Sequence, residues 1–83
     1  LILIGKKDLQ VDWQADGSIF EVAAKVSRNI TIAYAENANH VLKYEPRGRS
    51  KLTAAEAINN YSAKSSLLDT ESVNIITNWL SAH

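Results

Sequence analysis

The sequence predicts an α/β fold: a βαβ unit with parallel strands near residues 1–5 and 30–35, and helices near 13–26, 53–61 and 70–82. Three observations carry this expectation. The chain opens LILIG, a continuous aliphatic run of the kind that forms strands covered on both faces. A second run, ITIAY, is rich in β-branched and aromatic residues. Between them, apolar residues recur at helical spacing, and strand, helix and strand within about 35 residues make a unit that almost always crosses over right-handed to a parallel neighbour.

Each element follows from local chemistry. Gly5 ends the first strand. Ile19, Val22, Ala23 and Val26 then form an apolar stripe that Phe20 and Ala24 widen. Ser18 and Glu21 have capping-box spacing, but the pattern favours a longer helix beginning near Trp13, with Ser18 inside it and Gly17 a tolerated weak point. Ser27-Arg28-Asn29 interrupts before the second strand. Residues 36–51 are polar, contain Pro46 and Gly48, and are expected as a surface loop. Thr53 and Glu56 have the spacing of a capping box for a short helix that places Ala57, Ile58 and Tyr61 on one face, and Lys64-Ser65-Ser66 is expected to break it. Asp69 or Thr70 caps the last helix, whose stripe is Val73, Ile76, Trp79 and Leu80, with Ile75 beside them.

Size and composition narrow the function. Eighty-three residues make at most one small domain with a thin core. Nine basic and nine acidic side chains balance, which argues against a nucleic-acid partner, whose affinity depends on a basic stripe. The basic group Lys43, Arg47, Arg49 and Lys51 is interrupted by Glu45 and Pro46 and reads as a solvated loop, as Lys6 and Lys7 read as a solvated edge. The absence of cysteine removes disulfides, thiolate zinc sites and a cysteine nucleophile, and leans toward the cytoplasm. His40 and His83 show no metal-ligand spacing, so neither a metal nor another cofactor is expected. No apolar run approaches the roughly 20 residues that span a bilayer, and LILI lacks the flanks of a signal peptide. A chain that starts inside a strand without methionine is expected to be a piece of a longer polypeptide.

Two residues stand out by position. In parallel strands both carboxyl ends meet one edge of the sheet, where open α/β sheets hold their ligands. Asp8 follows the first strand there and His40 follows the second. Each has a plainer role available: an aspartate after a strand caps a helix or binds loop amides, and a loop histidine can be idle. Trp13, Tyr34 and Trp79 are expected to pack the core or its rim, with Trp13 also close enough to the site for a substrate contact.

Together these residues give the chain a resemblance to the C-terminal portion of an α/β-hydrolase-fold serine hydrolase, covering nearly all 83 residues. Gly5-Lys6-Lys7-Asp8 after an aliphatic run is similar to that family's acid-bearing segment, and Asn37-Ala38-Asn39-His40 to its histidine loop, 32 residues on, before a long closing helix. The resemblance implies that Asp8 is the triad acid and His40 its base. The chemistry agrees: a serine hydroxyl is a weak nucleophile until a neutral imidazole takes its proton, and that imidazole is held in one tautomer by an acceptor on its far nitrogen.

The nucleophile has no candidate. The family carries it in a Gly-x-Ser-x-Gly elbow upstream of the acid and the base. Gly48-Arg49-Ser50-Lys51-Leu52 lacks the second glycine, follows no buried strand and lies after His40, so Ser50 is expected to be a loop residue. Nor are oxyanion-hole donors present. The chain is therefore expected to supply an acid and a base to a longer hydrolase of small-molecule esters, amides, thioesters or peptides, to be inactive alone, and to associate with the remainder of its domain or with another copy. The alternative is a non-catalytic α/β binding module of the same fold. A nucleotide-binding unit is disfavoured, because LILIG offers one glycine where Gly-x-Gly-x-x-Gly is needed.

Overall fold

The computed structural model describes residues 1–61 and 67–83. Strand β1 (Ile2–Gly5) pairs in parallel with β2 (Ile32–Ala35), in a register that places Ile2 beside Ile32 and Gly5 beside Ala35. Helix α1 (Ala15–Val26) makes the crossover between them. A 3₁₀ turn (Arg49–Lys51), α2 (Ala54–Tyr61) and α3 (Thr70–Ala82) complete the chain. The expected class, strand pairing and helices are present. The strands are a residue or two shorter than expected, and the expected break at Lys64-Ser65-Ser66 lies outside the described residues.

Local chemistry sets the ends of the helices. Asp12 Oδ1 accepts from the backbone N–H groups of Gln14 and Ala15 at 2.9 and 3.2 Å, and Asp16 Oδ2 accepts from the N–H of Asp12. Helical hydrogen bonding thus begins at the Asp12 carbonyl, and Ser18 lies inside the helix. The backbone bonds from Ala15 and Gln14 hold the Asp12 carboxyl below its ordinary range. Thr53 Oγ1 accepts from the N–H of Glu56 at 3.2 Å at the start of α2. Asp69 caps α3, its Oδ2 accepting from both the backbone N–H and the hydroxyl of Ser72.

The face that α1 turns to the sheet differs from the expected one. Gly17, not the aliphatic stripe, is the buried residue of the helix, and a Cβ on it would stand 2.4 Å from the Tyr34 hydroxyl. That hydroxyl donates to Glu21, a bond that pushes the Tyr34 phenol up to about 12. Trp13 closes the other side of the ring edge-on at 5.4 Å, and Lys6 Nζ sits 4.4 Å from the indole centroid. With glycine and a tyrosine ring setting the contact, Ile19, Val22 and Val26 are left 68%, 64% and 85% exposed.

The consequence is a thin slab. Among the described residues only Ile4, Ala35 and Ala38 are buried apolar side chains, while Val73 and Leu80 of α3 and Leu67 and Leu68 before it are exposed. The shortest principal extent is 16 Å, little more than one helix, which is roughly 10–12 Å across with its side chains. The radius of gyration is 13.4 Å, against about 12 Å for a compact chain of this length. The accessible surface is 5556 Å², against about 4,900 Å² for a monomer of this mass.

Candidate active site

The site is built where the two strands end. Past Ala35 the chain stays beside the segment after β1, with Lys6 N–H donating to Ala35 O at 2.9 Å and Lys7 N–H to Ala38 O at 3.1 Å. This close approach needs Gly5: a Cβ there would lie 2.2 Å from Ala38 O and 2.9 Å from Asn39 O, both backbone atoms. The turn closes with Asp8 N–H donating to Gly5 O.

Asp8 is 4% exposed, and its two oxygens have separate partners. Oδ1 accepts from the backbone N–H groups of Gln10 and Val11 at 2.7 and 3.0 Å. Oδ2 meets His40 Nδ1 at 2.8 Å. Both roles considered for this aspartate, binder of loop amides and partner of the imidazole, are therefore filled at once.

His40 sits on a tightly wound loop. Asn39, buried beside it, accepts on Oδ1 from the N–H of Val41 at 3.1 Å and of Lys43 at 3.0 Å. Its own N–H donates to Lys43 O and its carbonyl accepts from Leu42 N–H, while Leu42 takes the left-handed conformation with φ 61°. The two accepted N–H bonds fix which way the amide faces, and they leave Nδ2 buried with no protein partner among the described residues. The loop is clipped from both flanks by the bridges Ala38 to Tyr44 and Lys43 to Leu68.

The expected surface loop is thus anchored. Glu45 is fully buried: its N–H donates to Asn37 O, its carbonyl accepts from Lys7 Nζ at 2.9 Å, and its carboxylate receives a forked pair of bonds from Arg47 at 3.0 and 2.8 Å. Those bonds hold the Glu45 carboxyl below its ordinary range. Arg47 also reaches Glu56 of α2 at 2.9 Å. Lys6 pairs with Glu36 at 3.1 Å, so both lysines expected as a solvated edge have structural partners. Trp13 is engaged by Tyr34 and Lys6.

The arrangement can hold and move a proton. An ionised Asp8 only accepts, so the neutral imidazole carries its proton on Nδ1 and keeps Nε2 as the acceptor. The His40 side chain is 37% exposed, and among the described residues nothing bonds to Nε2. Tyr61 of α2 lies 6.1 Å from the imidazole, ring to ring, and its hydroxyl accepts from Gln10 Nε2 at 3.2 Å. Ser50 lies in the 3₁₀ turn. No cluster of three or more His, Cys, Asp or Glu among the described residues is placed to hold a metal ion.

Sequence reasoning put Asp8 and His40 at one edge of the sheet, where the structure brings them into contact, and missed Gly5 as a spacer, Asn39 as the loop's internal acceptor, the Glu45 and Arg47 clamp, and Tyr61 as a neighbour of the imidazole. Asn39 carried a usable signal, since asparagine accepts from backbone a few residues on. Tyr61 carried none, because it lies 21 positions after His40, across loop and helix.

Fold and site together define a small α/β unit that presents an acid–imidazole pair at the carboxyl edge of two parallel strands. Comparison with models of known families, with curated proteins and with solved structures finds no match to this chain. Among the described residues no helix is long and apolar enough to cross a membrane.

Proposed function

We propose that this chain is the acid- and base-bearing C-terminal part of a serine hydrolase of the α/β-hydrolase type, with Asp8 as the acid and His40 as the general base. The observation that carries this is the 2.8 Å bond from His40 Nδ1 to a buried Asp8 oxygen, with the far nitrogen left as an acceptor at the strand ends. In the reaction His40 Nε2 takes the proton of an incoming serine hydroxyl as its oxygen attacks the acyl carbon. The imidazolium, stabilised by Asp8, returns that proton to the departing alcohol, amine or thiol, and water then releases the acid by the same route.

The serine and the oxyanion donors come from a segment preceding these residues, because no Gly-x-Ser-x-Gly elbow lies within them. The exposed aliphatic stripe of α1 and the uncovered slab support a partner of that kind, the rest of the same domain, with a second copy of the chain as the other way to cover them. A small-molecule acyl substrate and a cytoplasmic location, toward which the lack of cysteine leans, belong to the same proposal.

The test is labelling of the full-length protein by a fluorophosphonate, which reports an activated serine whatever the natural substrate. His40→Ala and Asp8→Asn each slow labelling by about 10³- to 10⁴-fold while the circular dichroism spectrum is retained. Ser50→Ala labels at the wild-type rate. Wild-type labelling in His40→Ala would refute the assignment, and loss of labelling in Ser50→Ala would place the nucleophile within these residues.

A further inference from the structure

We propose that Asn39 is the positioning residue of the site, the side chain that holds His40 at hydrogen-bonding distance from Asp8 and does so without adding charge. The inference rests on the acid–base role given to that pair. Its basis is the loop itself. Asn39 Oδ1 gathers the N–H groups of Val41 and Lys43, one and three positions after His40, and its main-chain N–H and carbonyl bind Lys43 O and Leu42 N–H. Four bonds to one residue therefore turn the chain around His40, and the backbone of that residue is seated against Gly5 at the end of β1. The imidazole is carried by a hydrogen-bonded turn rather than by a loop without internal bonds.

The choice of an amide for this task is informative. The loop uses only an acceptor, and Nδ2 is buried with no protein partner among the described residues. An aspartate would offer the same acceptor with no stranded N–H group. It would also put a second buried carboxylate on the residue next to His40, whose imidazole already bonds to Asp8 of the turn after β1 and lies against Tyr61 of α2. A further negative charge favours the protonated imidazole, which cannot act as a base. The neutral amide organises the loop and leaves Asp8 as the one carboxylate bonded to His40.

Two variants of the full-length protein test this by fluorophosphonate labelling and by the downfield nitrogen-15 correlated resonance of a hydrogen-bonded imidazole N–H. Asn39→Ala removes both side-chain bonds. The His40 Nδ1 proton resonance broadens into the solvent exchange limit and labelling slows about 100-fold, the usual effect of displacing a reacting group by about 1 Å. Asn39→Asp keeps the acceptors, so the resonance persists and labelling recovers to within a few-fold of wild type at alkaline pH, while the acid limb of the pH–rate profile moves to higher pH. A resonance and labelling rate unchanged in Asn39→Ala would overturn the proposal, as would an unmoved pH profile in Asn39→Asp. Should Asn39→Ala fail to fold, Asn39→Asp alone decides. Failure here is separable from failure of the proposed function: His40→Ala losing activity while Asn39→Ala keeps it rejects only the positioning role, whereas an active His40→Ala rejects the acid–base role itself.

Discussion

Replacing Gly5 by alanine separates a contact effect from a conformational one. Gly5 does not have a positive φ, so alanine fits its backbone, and at such a position the exchange normally stabilises by about 0.4–1 kcal/mol through the unfolded chain. Here the added Cβ would stand 2.2 Å from Ala38 O and 2.7 Å from Ala38 C. A carbon and a carbonyl oxygen rest at about 3.3 Å, so the His40 loop must withdraw by about 1 Å. The obstacle is main chain and no rotamer change relieves it. Withdrawal stretches the Lys7 N–H to Ala38 O bond beyond bonding range, at about 1–3 kcal/mol, and strain in the packed strand end adds about 1–3 kcal/mol more. The net expectation is a loss of about 1–5.5 kcal/mol, read as a lower urea midpoint at unchanged slope, together with about 100-fold slower labelling as His40 leaves Asp8. A raised midpoint with the His40 Nδ1 resonance intact would show that the loop adjusts freely and that the reasoning from Gly5 is wrong.

Three further expectations follow from the same geometry. Gly17→Ala gains about 1 kcal/mol of helix propensity yet lowers the melting temperature, because its Cβ meets the Tyr34 hydroxyl. In a Tyr34→Phe background the penalty shrinks, and an equal penalty in both backgrounds would refute the contact. The phenol of Tyr34 is raised from 10.0 to about 12, so its bond to Glu21 contributes fully below pH 10 and is lost as pH climbs through about 12; phenolate absorbance shows one of the three tyrosines titrating late, and Glu21→Ala abolishes that lag. The Glu45 carboxyl is depressed by Arg47, so its contribution is present above pH 4.5 and is lost as pH falls through its lowered value. Arg47→Ala destabilises at neutral pH and moves the acid-unfolding midpoint upward, and an unmoved midpoint would count against the clamp.

The parts of the fold that were legible in the sequence are those set by near neighbours. LILIG and ITIAY announce strands by composition, Asp69 announces a cap, and parallel pairing then follows from chirality. Asp8 and His40 were legible because that pairing brings both strand ends to one edge. What a single sequence does not carry is which neighbour a face meets. The stripe Ile19, Val22 and Val26 marks a surface suited to burial, but Gly17 and Tyr34 decide that α1 turns another side to this sheet. Glu45 looked like a solvated acid because its burial depends on Lys7, far back in the chain, and on the fold of Arg47 beside it. Asn39 was read only as part of a motif around His40, and its structural role appears once the loop has closed on itself.

Arg47 has a consequence for how the chain can change in length. By holding Glu45 on one side and Glu56 on the other, it ties together the two ends of the segment that runs through Gly48 and the 3₁₀ turn, and the space around Gly48 is open. Residues added there would be tethered at both ends before they reach the Asp8 and His40 pair, and each doubling of a flexible loop costs only about 0.6 kcal/mol of closure entropy. The tip of that segment is thus a natural graft point, where a reporter peptide or a substrate-selecting insertion can be hosted with the acid–imidazole geometry insulated from its motions.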